Sequence, residues 1–145
     1  MTLRSGERLV IDASVAVKWV VPEPGSDRAE LLLDHGLLAP DLLFAECANI
    51  LWKKVRRGEL TKEEADVAAK TLEQADIILV STRGYLALAT AIAVELDHLA
   101  YDAAYLAVAE ASSLRLVTAD NSLVRKLRGG QNRFREMLVA LPHVA

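Results

Sequence analysis

Short runs of consecutive apolar residues that end at a polar side chain constrain the fold of this chain more than any other feature. The run from Leu9 to Ile11 is one of them, and Asp12 follows it at once. An apolar run without alternation predicts a strand that is buried on both faces, as in a parallel sheet covered by helices. Comparable stretches at 77–80, 114–118 and 137–141 predict further strands of the same sheet.

Amphipathic segments separate these strands. The clearest one runs from Asp41 to Arg57, where apolar residues recur at every third or fourth position. Thr61 and Glu64 have the spacing of a capping box, which predicts a helix from there to about Ala75. The other predicted helices run from Ser26 or Asp27 to Gly36, from Arg83 to Asp97, from about Tyr101 to Ala111, and from Ser122 to Arg128.

Alternation of short strands with helices predicts the fold class. We expect an α/β fold with a central, mostly parallel sheet of about five short strands flanked by helices. Ligands of such sheets bind at the carboxyl ends of the strands. The functional residues are therefore expected just after the apolar runs.

Composition supports one compact domain and excludes several other classes. A chain of 145 residues that is 52% hydrophobic can bury a core without a disulfide or a structural metal. Cys47 is the single cysteine, so it forms no internal disulfide, and with the scattered His35, His98 and His143 it makes no zinc pattern. These features favour a reducing, intracellular environment.

The sequence predicts neither a secretory signal nor a membrane-spanning helix. The start, from Met1 to Arg8, is polar and lacks the apolar stretch of a secretory signal. The most apolar long stretch, from Tyr85 to Leu96, is shorter than the ~18 residues of a membrane span and contains Glu95. We therefore expect a cytoplasmic protein with no membrane partner.

Four acidic residues fall at positions that a parallel sheet brings together. Asp12 and Asp120 follow predicted strands, whereas Glu46 and Asp102 lie early in predicted helices. Carboxylates that lie close together repel one another, and a cation at their centre relieves this repulsion. Oxygen ligands without histidine or thiolate favour Mg²⁺ or Mn²⁺ over zinc. Such a site can activate water and bind a phosphodiester oxygen, as in nucleases.

Each acid also has an ordinary structural interpretation. Asp12 can be a turn residue, and Glu46 can simply stabilise the dipole of its helix. Asp102 and Asp120 can both be helix N-caps. Apolar neighbours surround Glu46, however, and an unpaired carboxylate is costly in such surroundings. All four acids are predicted to lie at the same edge of the sheet, and this is the stronger argument for a functional site.

Positive charge is concentrated in two places, although the net charge is −3. One cluster ends the predicted 41–57 helix, where cations stabilise the helix dipole without any ligand. The other lies in the segment 121–135, which contains no acid and follows Asp120 directly. From this second cluster we predict that Arg125, Lys126 and Arg128 contact the phosphates of a nucleic acid, whereas Arg133 and Arg135 complete the cluster.

The sequence resembles the PIN-domain ribonucleases, and most closely the VapC-type toxins of bacterial toxin–antitoxin systems. The resemblance covers nearly the whole chain and implies a single PIN-like domain over residues 1–145. It is carried by Val10-Ile11-Asp12-Ala13-Ser14, by Glu46 with Asn49, by Tyr101-Asp102-Ala103-Ala104-Tyr105-Leu106-Ala107, and by Val117-Thr118-Ala119-Asp120-Asn121-Ser122-Leu123.

The resemblance implies an endoribonuclease that depends on Mg²⁺, with Mn²⁺ as an alternative. It implies a catalytic and metal-binding pocket formed by Asp12, Glu46, Asp102 and Asp120, with supporting polar groups at Ser14, Asn49 and Thr118. The implied partners are RNA, a VapB-like antitoxin and a second copy of the chain. Leu123 and the polar stretch 129–136 depart from the family pattern, which leaves the choice of RNA open.

Other functions of similar folds fit the sequence less well. A haloacid-dehalogenase-like phosphatase needs a second aspartate two residues after the first, where this chain has Ser14. A response-regulator receiver needs an acidic phospho-acceptor at the end of the middle strand, where this chain has Ser81. A catalytically silent PIN-like protein, which binds an antitoxin or RNA without cutting, stays open as the alternative.

Overall fold

The computed structural model of the chain describes residues 3–144, so Met1, Thr2 and Ala145 lie outside the described part. Within it, one sheet of five strands runs in the order β3-β2-β1-β4-β5, and every neighbouring pair is parallel. The strands are β1 (Leu9–Ile11), β2 (Leu37–Pro40), β3 (Ile78–Val80), β4 (Arg115–Thr118) and β5 (Leu138–Ala140). The predicted α/β fold is confirmed, and the sheet is wholly parallel.

Seven α-helices flank this sheet within residues 3–144. They are α1 (Ala13–Ala16), α2 (Ser26–Glu30), α3 (Leu43–Arg56), α4 (Lys62–Glu73), α5 (Leu86–Leu96), α6 (Ala100–Ser112) and α7 (Asn121–Arg128). The capping box at Thr61 is present, since the Thr61 hydroxyl accepts from the amide of Glu64 and the Glu64 carboxylate accepts from the amide of Thr61. No helix in the described range is long and apolar enough to cross a membrane.

The core lies on both faces of the central strands. All three residues of β1 are fully buried, and seven consecutive residues of α6, from Ala103 to Ala109, are buried against the sheet. The edge strand β3 differs, because Ile78 and Leu79 are 55% and 40% exposed. The apolar stretch 77–80 therefore predicted strand β3 correctly, but it did not predict that β3 lies at the exposed edge of the sheet.

Two local predictions need correction. β2 was not located from the sequence, because its short apolar stretch lies between Gly36 and Pro40 and resembles a loop. The helix predicted from Ser26 or Asp27 to Gly36 ends at Glu30 and continues as a 3-10 turn. Its N-cap is Gly25, and no side chain caps it.

The polar stretch 129–136 packs against the body of the domain. The Phe134 ring is fully buried, and the Arg133 guanidinium lies over it. Arg133 also forms ion pairs with Glu95 of α5 and Glu110 of α6. These contacts anchor the segment between α7 and β5 to two helices.

Candidate active site at the carboxyl edge of the sheet

Asp12 occupies the end of the central strand β1 and is the N-cap of the short helix α1. Its carboxylate accepts from the amide of Val15 and, at 2.5 Å, from the hydroxyl of Ser14. The side chain is 5% exposed. Burial raises the pKa of Asp12 to about 6, although the Ser14 and Thr118 hydroxyls act in the opposite direction.

Thr118 joins Asp12 to the end of the neighbouring strand β4. Its hydroxyl donates to the second carboxylate oxygen of Asp12 and accepts from the amide of Asp120 at 3.0 Å. The Ser14 hydroxyl accepts from the amide of Ala119 at 2.9 Å. Thr118 is fully buried, so its hydroxyl needs these partners. The predicted polar groups Ser14 and Thr118 therefore both contact Asp12.

Glu46 lies in the first turn of α3 and is half-buried. The Tyr105 hydroxyl of α6 donates to its Oε1 at 2.5 Å. Desolvation raises the pKa of Glu46, the bond from Tyr105 lowers it, and the charges of Asp102 and Asp120 raise it further. No described residue donates to the second carboxylate oxygen of Glu46, Oε2, which leaves that oxygen available to a ligand.

Asp102 lies in the first turn of α6 but is not its cap, because Leu99 is the N-cap residue. Its Oδ2 lies 2.6 Å from Nε2 of His98 instead. Burial raises the pKa of Asp102, the contact with His98 lowers it, and the charge of Asp120 raises it. The cap interpretation of this residue is therefore wrong.

Asp120 is the N-cap of α7, so here the structural interpretation is correct. Its Oδ1 accepts from both the amide and the hydroxyl of Ser122, at 2.9 and 2.8 Å. Within residues 3–144, no hydrogen bond reaches its second oxygen. Capping uses one carboxylate oxygen and leaves the other for a ligand.

The four acids lie close enough to act on one another. The charge of Asp102 raises the pKa of both Asp12 and Glu46, and the charge of Asp120 raises the pKa of both Glu46 and Asp102. No three His, Cys, Asp or Glu side chains in the described part of the chain form a ready-made metal cluster.

The remaining predicted residues are on the surface. Asn49 is exposed on α3, one turn after Glu46. Arg125, Lys126 and Arg128 are exposed in the last turn of α7. Arg133 instead pairs with two carboxylates and packs on Phe134, so it contributes less free charge to the predicted basic cluster.

Two residues that hold the acids were missed in the sequence. His98 stands four residues before Asp102, and Tyr105 stands three residues after it. His98 precedes α6, whose N-cap is Leu99, so its contact with Asp102 joins the loop before the helix to the first turn of the helix. The contact of Tyr105 with Glu46 joins two different helices, so the spacing of residues within one helix could not predict it.

Comparison with known proteins identifies the family. The family model "PIN domain" matches residues 9–128. Ribonuclease VapC3 from Pyrobaculum aerophilum is 37% identical over 123 residues, which cover 82% of this chain and 94% of that protein.

Solved structures share the fold. The crystal structure of PAE2754 from Pyrobaculum aerophilum matches with a TM-score of 0.64 and 25% identity, over 95% of this chain and 85% of that one. The structure of VapC20 from Mycobacterium tuberculosis, described as a sarcin-ricin loop cleaving toxin, matches with a TM-score of 0.58 and 14% identity, over 76% of this chain and 86% of that one. This chain belongs to the PIN-domain family, and within it to the VapC-type ribonucleases.

Proposed function

We propose that the chain is a divalent-metal-dependent endoribonuclease and acts as the toxin of a type II toxin–antitoxin pair. The observation that carries the proposal is that four acids lie close together at the carboxyl edge of a parallel sheet: the charge of Asp102 raises the pKa of Asp12 and Glu46, and the charge of Asp120 raises the pKa of Glu46 and Asp102. The relative Ribonuclease VapC3 supports the same activity. The single domain is proposed to span residues 1–145.

The donor set fits a hard cation. Every candidate ligand is a carboxylate, and Glu46, Asp102 and Asp120 each keep one oxygen without a hydrogen bond from residues 3–144. Mg²⁺ keeps several waters and uses few protein carboxylates, so the open arrangement suits Mg²⁺, and Mn²⁺ takes similar ligands. A bound ion of this kind lowers the pKa of water and polarises a phosphoryl oxygen.

The chain's own residues position the groups that react. Ser14 and Thr118 fix the carboxylate of Asp12, and the Asn49 side chain lies on the same helix as Glu46. Tyr105 fixes one oxygen of Glu46 and leaves the other to the ion.

Contact with RNA is proposed for the basic end of α7. Arg125, Lys126 and Arg128 are exposed on the helix that begins directly after Asp120. Phosphate contacts by such cations supply most of the affinity that does not depend on sequence. The RNA backbone would thus reach from this helix to the acidic edge.

The proposed partners are a VapB-like antitoxin and a second copy of the chain. A cluster of carboxylates attracts an arginine, which supports an antitoxin that inserts a basic side chain into the pocket. Exposed apolar residues support a homodimer. They include Ile78, Leu86, Val94, Leu99 and Tyr101. A cytoplasmic location stays a prediction.

The deciding experiment is cleavage of structured RNA by the purified chain, free of antitoxin, with Mn²⁺ or Mg²⁺ and with EDTA. We expect cleavage that EDTA abolishes, and an Asp12→Asn variant that is folded but slower by orders of magnitude. Binding of RNA without cleavage under any metal condition would favour the catalytically silent alternative. Full activity of a folded Asp12→Asn variant would refute the assignment of the site.

A further inference from the structure

A cavity of about 550 Å³ opens beside the acidic edge, between α2, the start of α7 and the carboxyl end of the chain. We propose that this side cavity seats one unpaired nucleotide of the RNA, next to the bond that is cut, and that Asp27 reads the edge of its base. The inference rests on the proposed ribonuclease function and specifies its substrate. The residues that carry it are Lys18, Gly25, Asp27, Arg28, Asn121 and Leu141.

The side cavity adjoins the candidate active site through the chain itself. Ala119 and Asn121 line it, and Asp120 lies between them. A group in the cavity is therefore adjacent to the turn that carries one of the four acids. The volume lies within the ~300–1,000 Å³ of typical small-molecule sites, which leaves room for a single nucleotide.

The walls of the side cavity are fixed before any ligand binds. Lys18 donates to Glu23 at 3.0 Å and to the carbonyl of Pro24 at 2.9 Å, and Lys54 of α3 pairs with the same Glu23. Arg28 donates to the carbonyl of Val144 at 2.8 Å, which ties α2 to the carboxyl-terminal segment. Preformed walls reduce the loss of conformational entropy on binding.

Gly25 keeps the cavity open where the chain turns into α2. Its φ of +94° is a conformation that other residues rarely adopt. A Cβ at this position would lie 3.2 Å from Cδ2 of Leu141 and 3.4 Å from Cδ of Lys18. The backbone therefore forms this wall without a side chain.

The polar groups of the wall suit a nucleobase better than a free anion. The side chains of Asp27 and Asn121 are exposed, and no described residue forms a hydrogen bond with either. A carboxylate accepts N–H groups from a base edge, and an amide both donates and accepts. Guanine offers two adjacent N–H donors to a carboxylate, whereas uracil offers one.

The two cationic side chains that line the cavity can bind the phosphate of a nucleotide. Lys18 and Arg28 each have N–H groups beyond those used in the bonds above, and these can contact a phosphate. Specific recognition of RNA usually targets unpaired bases that are splayed out of a loop. We therefore infer that the nucleotide is unpaired and that guanine is preferred over uracil.

The first test uses binding and does not depend on cleavage. Guanosine monophosphate and uridine monophosphate are titrated into the metal-free, ¹⁵N-labelled chain and followed by NMR. We expect the amides of Gly25 and Asn121 to shift with guanosine monophosphate and to shift less with uridine monophosphate. Equal shifts with both, or no shifts at these amides, would overturn the assignment.

The second test asks whether Asp27 sets the base preference. The wild type and Asp27→Asn cleave a pool of stem–loop RNAs with a randomised loop, and the ends of the products are sequenced. Asn keeps the shape of Asp but replaces one accepting oxygen by an NH₂ group that only donates, so we expect the preference for guanine next to the cut to fall about tenfold. Glu30→Gln removes an exposed charge from the same helix outside the cavity and should keep the wild-type preference.

The outcomes separate this inference from the proposed function. If the wild type cleaves no RNA with Mn²⁺, the proposed function fails, and the NMR titration still decides whether the cavity binds a nucleotide. If the wild type cleaves RNA but Asp27→Asn and Glu30→Gln show the same base preference as the wild type, the inference about Asp27 is wrong while the ribonuclease function stands.

Discussion

The Thr118 hydroxyl donates a hydrogen bond to Oδ2 of Asp12, although the two residues are 106 positions apart in the chain. They meet because β1 and β4 are parallel neighbours, with Ile11 paired to Val117. The same hydroxyl accepts from the amide of Asp120. One buried threonine thus connects two of the four acids.

This connection predicts a specific effect at position 118. Thr118→Val keeps the volume but removes the hydroxyl, which leaves a buried carboxylate oxygen and an amide without their partner. A hydrogen bond to a charged group contributes about 1.5–3 kcal/mol, so we expect RNA cleavage to fall by roughly ten- to a hundredfold. Thr118→Ser keeps the hydroxyl and should retain most of the activity. Equal losses in the two variants, measured as kcat/KM, would contradict the role of the hydroxyl.

Asp12 should make the stability of the metal-free chain depend on pH. The pKa of Asp12 is about 6 in the folded chain and near 3.8 in the unfolded chain, so folding favours the protonated form. That stabilisation is complete below about pH 4 and is lost as the pH rises through 6. Asp12→Asn lacks it, so the stability of the variant relative to wild type should rise by about 3 kcal/mol between pH 4 and pH 8.

Urea unfolding in EDTA across this pH range measures the effect. Asp34→Asn removes an exposed carboxylate and serves as the control, for which we expect no such rise. If the relative stability of Asp12→Asn stays constant with pH, the pKa of Asp12 is the same in the folded and the unfolded chain, and burial does not control its titration.

Divalent metal should stabilise the folded chain. An ion that binds only the native state adds about 2.7 kcal/mol at a free concentration of 100 times its Kd. We therefore expect Mn²⁺ to raise the Tm of the wild type at fixed ionic strength, and Asp12→Asn to lose most of this gain because it removes a ligand. Equal shifts of Tm in both proteins would place the ion elsewhere.

The basic end of α7 should govern the salt dependence of RNA binding. Neutralising Arg125, Lys126 and Arg128 together should weaken binding to all RNAs. It should lower the slope of log K against log salt by about 0.7 for each lost contact with single-stranded RNA. Fluorescence anisotropy in EDTA measures both effects without cleavage.

The basic cluster at the end of α3 supplies the matched control for this measurement. Glutamine at Lys53, Arg56 and Arg57 removes the same charge from the end of α3. This control should change the salt slope much less. If the two triple variants behave alike, RNA binding follows net charge and has no preference for α7.

The capping box at the start of α4 should contribute to stability alone. Thr61→Ala removes the hydroxyl that accepts from the amide of Glu64 at 3.0 Å, and loss of such a cap costs about 1 kcal/mol. The free energy of unfolding should fall by this amount, with kcat/KM for RNA unchanged. A large loss of activity in folded protein would mean that α4 contributes to the reaction.

The sequence by itself determined the fold class and led to the prediction of the four acids. Leu9 to Ile11 predicted a doubly buried strand because local hydrophobicity is enough to require burial on both faces. Asp12 and Asp120 could be placed because the carboxyl ends of parallel strands meet at one edge of the sheet, so a residue that directly follows a strand lies there, whereas Glu46 and Asp102 were proposed from their positions early in predicted helices. The capping box at Thr61 was equally visible, since its bonds join residues three positions apart.

Only the tertiary structure decided which partners hold these acids. Asp120 caps α7 and Asp102 does not cap α6, and the difference depends on where each helix begins in the packed chain. The bond from Tyr105 to Glu46 and the ion pairs of Arg133 join different elements. Sequence spacing reports neighbours within one helix or strand, whereas contacts between elements depend on how the whole core packs, and this is why they could not be predicted from the chain alone.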